Sequence, residues 1–136
     1  MLLKETAPFM EFIESYNDCF YRKDLEGLKG FYAADKSLIY LDNHPGNDTH
    51  HLDAHLKLLS DFFEKGKKTE SGAVEPISTE QLSVFRSEET ACLCYLARYQ
   101  SFPDPPVRVT MYLERLSGAW KIRHVHCSFE PRQERG

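Results

Sequence analysis

The chain has 136 residues, 41% of them hydrophobic and 28% charged, a balance that suits one globular domain over residues 1–136 and excludes disordered and fibrous classes. With 17 Lys and Arg against 21 Asp and Glu the net charge is −4, and no block of like charges interrupts the sequence. This argues against nucleic acid and anionic membrane surfaces as partners, since both are held by clustered basic residues.

In chain order, Pro8 stands where a first helical turn tolerates proline. Phe9, Phe12, Ile13, Tyr16, Cys19 and Phe20 then recur at three- and four-residue steps, which predicts one apolar face of a helix from about residue 8 to Lys23. Asp24 is placed to cap a second, short helix with Leu25, Leu28, Phe31 and Tyr32 on one side. Ser37–Asp42 has strand composition, and Asn43–Thr49 is dense in turn residues. A third helix is expected over His51–Lys65, burying Leu52, Leu56, Leu59 and Phe63, with Gly66 ending it in a polar linker that reaches Gly72. Strands are expected at Val74–Arg86, Thr90–Phe102, Val107–Leu116 and Ala119–Phe129. The breaks between them are Ser87–Glu89, Pro103–Pro106 and the hairpin pair Ser117–Gly118. Helices early and antiparallel strands late predict an α+β architecture, with three helices on one face of a curved, mostly antiparallel sheet.

Alternation places Leu93, Tyr95, Ala97 and Tyr99 on one strand face and Val109, Met111 and Leu113 on another, with Arg98 and Arg108 opposite. By the same rule His124 and His126 share a face with Trp120, Ile122 and Ser128. His51 and His55 are four apart, a spacing at which two imidazoles reach one metal. No Glu follows His51, so an exposed helix start accounts for them and no metal is expected. Cys19, Cys92, Cys94 and Cys127 lack zinc-ligand spacing and read as reduced, buried thiols. Met1–Met10 lacks the apolar centre of a signal peptide, and no segment approaches the roughly 20 apolar residues of a membrane span, so the expected compartment is the cytoplasm.

Two segments carry a family resemblance. DLEGLKGFYAADKSLIYLD (24–42) is similar to the second helix and first strand of the nuclear-transport-factor-2-like, or SnoaL-like, superfamily. GAWKIRHVHCS (118–128) is similar to its terminal strand, and the His124-x-His126-x-Ser128 ending is closest to the subgroup that includes the calcium/calmodulin-dependent kinase II association domain. The resemblance covers about residues 8–130. It implies a cone whose pocket is lined by the first helix and one sheet face, and a homodimer formed through the other face; no cofactor is expected. Tyr16, Tyr40, Tyr95, Tyr99, Met111, His124 and His126 would then line a ligand pocket that is largely aromatic and apolar.

Ketosteroid isomerases of this superfamily use a helix-one Tyr as oxyanion donor, a strand Asp as base and a later protonated Asp. Tyr16 matches the first, but Tyr40 stands at the base position and Thr110 near the acid position. The candidates left for catalysis are Tyr16 as donor with Asp42 or His124 as base. Asp42 lies two residues beyond Tyr40 on the same strand face and equally suits the start of the following turn. The expectation is therefore small-molecule binding ahead of proton-transfer catalysis, with a pure oligomerisation module as the third reading.

Overall fold

The computed structural model describes residues 2–35, 37–42, 46–66, 77–100 and 104–129. Helix α1 spans Leu2–Tyr21, so it begins earlier than expected and holds Pro8 inside it. The missing Pro8 N–H removes one bond from the ladder without turning the chain out of the helix. Phe9, Ile13, Tyr16 and Cys19 are its buried stripe. The helix stops two residues sooner than expected because Lys23 turns left-handed, with φ at 58°. There the Asp24 N–H donates to the Cys19 carbonyl at 2.8 Å and the Lys23 N–H to that of Phe20 at 3.0 Å, which satisfies two of the helix's last carbonyls.

Asp24 then caps α2 (Leu25–Lys29), its Oδ1 accepting the Gly27 N–H at 2.9 Å. Glycine suits that point, since a Cβ on Gly27 would lie 2.5 Å from the other Asp24 carboxylate oxygen, Oδ2, and 2.9 Å from Cys19 Sγ. Strand β1 is only Ile39–Leu41, α3 runs over Leu52–Gly66, and β2 to β5 cover Ile77–Arg86, Thr90–Tyr99, Val107–Leu116 and Ala119–Phe129. The expected strand margins at 74–76 and 101–102, the linker up to Gly72 and the loop residues Asn43–Pro45 lie outside the described residues. Ser117 and Gly118, with φ of 53° and 81°, make the tight turn that their sequence predicts.

The five strands form one sheet in the order β1-β5-β4-β3-β2, with β1 parallel to β5 and every other pairing antiparallel. This is an α+β fold whose helices cover one face, called inner here. On that face Leu93 and Tyr95 of β3, Val109, Met111 and Leu113 of β4, and Ile122, Val125 and Cys127 of β5 are buried against Phe9, Ile13, Leu28, Leu52 and Phe63. Each full-length apolar side chain so covered contributes about 1.5–3 kcal/mol. On the outer face Cys92 and Cys94 are half-buried, unlike the expectation that all four thiols are interior. No described helix is long and apolar enough to cross a membrane.

Two irregularities shape the sheet. In β2, Gln81 and Leu82 together face Tyr95, since Glu80 pairs with Leu96 and Ser83 with Cys94; Gln81 is left-handed, with φ at 56°. In β5, Ile122 pairs with Leu113 and His124 with Tyr112, leaving Arg123 as an extra residue. That extra residue reverses the alternation beyond it. Arg123 also fastens the segment after α2. Its guanidinium binds Glu114 at 2.6 Å, Asp35, and the Ser37 carbonyl at 3.5 Å. The backbone bond from Ile122 N–H to the Phe31 carbonyl, 2.8 Å, adds to this. The segment carrying Tyr32 and Tyr40 is thus held against β5.

Candidate functional site

Four polar rings of the interior are gathered in one place. Tyr16 comes from α1, Tyr32 from the turn after α2, Tyr40 from β1 and His55 from α3. The Tyr16 and Tyr32 hydroxyls are 2.5 Å apart, and the Tyr32 hydroxyl is 3.1 Å from His55 Nε2. The imidazole lies flat on the Tyr40 ring, with centroids 4.1 Å apart and planes at 22°. Tyr40 sends its hydroxyl toward Cys127 Sγ at 3.9 Å. Buried hydroxyls cost free energy unless they are bonded, and here the phenols and the imidazole satisfy one another. Phe31 closes one side, edge-on to Tyr16 at 5.5 Å.

Burial dominates the electrostatics. It pushes the Tyr32, Tyr40 and Tyr95 phenols well above their ordinary values. Tyr16 is also raised by burial, while hydrogen bonding from Tyr32 and Tyr40 works against the rise. Burial lowers the His55 imidazole to about 4, opposed by the nearby Asp42 carboxylate, and pushes the Cys127 thiol up to about 12. At neutral pH these tyrosines, His55 and Cys127 are all uncharged.

The expected ligand residues divide between the two faces. Tyr16, Tyr40, Tyr95 and Tyr99 lie on the inner side, Tyr40 and Tyr99 being only half-buried. Tyr16 (9% exposed), Tyr95 (7%) and Cys127 (8%) keep a sliver of surface, whereas Met111 has none. Tyr95 pairs with Val109, and Val109 with Cys127, so that residual exposure runs across three adjacent strands. Met111 is core. His124 and His126 are on the outer face, which corrects the expectation that they share Ile122's side. The extra residue at Arg123 turns them over: His124 Nδ1 bonds the Ile39 carbonyl at 2.9 Å, and His126 is exposed beside Thr110. Asp42 is half-buried at the neck of the loop after β1. Its N–H donates to Asp48 at 2.8 Å and its carboxylate accepts from the Asn47 amide at 3.4 Å.

His55 and Tyr32 are the residues that were not singled out for the site. The expected exposure of His55 is overturned, since it is 4% exposed. His51 does not share its surroundings because α3 starts only at Leu52; His51 precedes the helix and its Nδ1 accepts the Asp53 N–H at 3.1 Å. A signal for His55 was present, in that it falls three residues after Leu52 and four before Leu59, within the apolar stripe.

The Thr49 hydroxyl, on the residue bridged to Tyr40, is buried with no hydrogen-bond partner. An open groove of about 550 Å³ lies between α1 and β2, against Met10, Glu14, Asn17, Tyr21, Ile77 and Thr79, and touches none of the expected ligand residues. Among the described residues no three His, Cys, Asp or Glu side chains gather as a metal site.

Comparison with known proteins adds a family and a fold. Residues 10–131 match the model of the SnoaL-like domain. The fold is shared with an NTF2-like protein of unknown function from Pseudomonas putida KT2440, at TM-score 0.71 and 19% identity, covering 94% of this chain and 88% of that one. A putative calcium/calmodulin-dependent protein kinase II association domain from Xanthomonas campestris matches at TM-score 0.71 and 13% identity, covering 93% and 88%. A cystatin-like protein of unknown function from Nostoc punctiforme matches at TM-score 0.69 and 8% identity, covering 90% and 89%. At these identities the likeness is one of fold alone. No curated protein matches the chain.

Proposed function

The chain belongs to the SnoaL-like domain family, and from that premise we propose that it binds an uncharged, largely apolar small molecule carrying one polar oxygen. The binding place is the inner side of the sheet, at Tyr16, Tyr40, Tyr95 and Tyr99. One observation carries the reading: in a largely apolar interior, the Tyr16 hydroxyl stands at the end of a hydrogen-bonded line from His55 through Tyr32, on a residue that is 9% exposed. Aromatic walls with one or two fixed polar groups are the usual make-up of such sites. The uncharged state of the cluster favours a neutral ligand over an anion.

2-Acetylnaphthalene is a suitable probe, being an apolar aromatic skeleton with one carbonyl. Calorimetric titration is expected to show saturable binding, weakened roughly fivefold by Tyr16→Phe, the loss of about one hydrogen bond. Absence of binding by this probe, with no small molecule retained in native mass spectrometry of the purified protein, overturns the reading.

Proton-transfer catalysis is the second reading, supported by the bonded line behind Tyr16. It requires a base to take a proton from the carbon beside the carbonyl while Tyr16 donates to the oxygen that gains charge. Exchange of the acetyl protons of the same probe into D₂O, faster than in buffer and lost in Tyr16→Phe, is its signature. Exchange no faster than in buffer sinks it.

A further inference from the structure

We propose that Arg86 and Arg115, both held over Trp120 at one end of the sheet, form a binding site for a phosphate monoester. This site is separate from the tyrosine cluster and goes beyond the binding reading above. Phe9, which packs on Trp120, stands seven residues before Tyr16 on α1, which sets the two places roughly 10 Å apart along the helix.

The end of the sheet where β2 and β4 finish and β5 begins brings two cations to one ring. Trp120 lies opposite Arg115 in the β4–β5 ladder, and its ring centroid is 5.4 Å from that of Phe9. The Arg115 guanidinium carbon is 5.8 Å from the centre of the indole ring. That of Arg86 is 5.2 Å from the same ring and 5.7 Å from the ring of Phe9. Arg86 arrives from β2, where its ladder partner is Ala91, and so small a neighbour leaves its side chain room to lean across the sheet. Both arginines are exposed, and Trp120 is half-buried.

The pair lacks the counter-charge that other arginines have. Arg22, Arg98 and Arg123 each bind a carboxylate. Among the described residues, no carboxylate is ion-paired with Arg86 or Arg115. Arg86 Nε bonds the Ser87 carbonyl at 3.1 Å, and its terminal nitrogens are left over. Glu88 and Glu89 of the adjoining turn are exposed; the contact between this turn and β4 is a backbone one, from the Arg115 N–H to the Glu89 carbonyl at 2.8 Å.

A guanidinium lying over a ring is held by cation–π attraction while its N–H edge stays free to bond oxygen. The ring also fixes side chains that would otherwise lose rotamer freedom on binding. Two such edges and two positive charges match a phosphate monoester, which carries a charge of about −1.5 to −2 and three acceptor oxygens at neutral pH. A carboxylate brings one charge and fills one fork. The indole is already in contact with Phe9 and both guanidiniums, so recognition rests on the phosphate group rather than on what carries it.

Trp120 is the chain's one tryptophan, so its emission reports on the site directly. At neutral pH and constant ionic strength, phenyl phosphate is expected to change that emission saturably, and inorganic phosphate to displace it. Benzoate, with the same ring and a single charge, should bind about tenfold more weakly. Arg86→Ala and Arg115→Ala should each weaken phenyl phosphate about tenfold, read by calorimetric titration because either change also alters the surroundings of the indole. Arg86→Lys and Arg115→Lys, which keep the charge but lose the fork, should restore part of the affinity. An unsaturated, linear response, equal affinity for benzoate, or no displacement by inorganic phosphate overturns the proposal. So does unchanged binding in both alanine variants. Where an alanine variant does not fold, glutamine at the same position, polar and uncharged, supplies the comparison.

Discussion

The two faces of the sheet are built from the same alternating strands and solve the problem of polar groups in opposite ways. On the outer face polar side chains are matched in separate local contacts, by a charge, a hydroxyl or a carbonyl. Arg98 holds Glu80 at 3.0 Å, Arg108 reaches Ser128 at 3.2 Å, and His124 bonds the Ile39 carbonyl. On the inner face the Tyr16 and Tyr32 hydroxyls and the His55 imidazole have one another, across three separate segments of the chain. Removing a member outside affects a local pair; removing one inside leaves a buried group without a partner, at about 1–3 kcal/mol. The difference shows that the inner polar groups are positioned by the whole fold, whereas the outer ones are positioned by their neighbours.

The comparison is most sharply tested on adjacent residues. Met111→Ala is expected to cost about 2–5 kcal/mol in denaturant unfolding, whereas Thr110→Ala, one residue away on the other face, should change stability by no more than about 0.5 kcal/mol. Equal effects would mean that the faces are not as distinct as their burial.

Acidification gives the next effect. The unfolded chain takes up a proton on His55 below its ordinary pKa of 6.5, while the folded chain resists until about 4. The unfolded state therefore binds more protons in that window, and stability falls as pH drops from 6.5 to 4, by roughly 3 kcal/mol at most from this group. His55→Gln should flatten that part of the stability–pH curve; an unaltered curve would show that the imidazole is not buried neutral.

Tyr32→Phe should cost about 1–3 kcal/mol, because Tyr16 and His55 both lose their common partner. Arg98→Ala, on the outer face, should cost only about 0.2–1 kcal/mol, the range of partly exposed ion pairs. A reversed order of these two would break the comparison.

How much of this was legible in the sequence follows from which rules the chain obeys. β4 and β5 have the expected boundaries, because β4 alternates strictly and Ser117–Gly118 marks the turn between them. Asp24 reads as a cap and acts as one. The identities of the inner tyrosines were accessible, because Tyr16 falls on a helical stripe and Tyr95 on an alternating strand. The placement of His124 and His126 was not, since a single extra residue at Arg123 inverts every position after it, and nothing about an arginine signals a bulge. His55 was misplaced for a different reason. Its chemistry invites a surface assignment, while its position in the stripe of Leu52, Leu59 and Phe63 asks for burial, and position prevailed. The site depends on that conflict, since a buried residue with two nitrogens is what links Tyr32 to α3.

One feature of the sheet has a bearing on how the molecule comes into being. β1 has its strand partner in β5, the last strand described, and the bond from His124 to Ile39 spans 85 positions of chain. During synthesis at about 5–20 residues per second, Ile39–Leu41 must wait several seconds or more before the strand that completes them leaves the ribosome. Until then Tyr32 and Tyr40 lack the strand against which their segment is held. The tyrosine–histidine line is therefore among the last parts of the molecule to be assembled, and a nascent chain halted before β5 would carry its aromatic residues without the interior that shelters them.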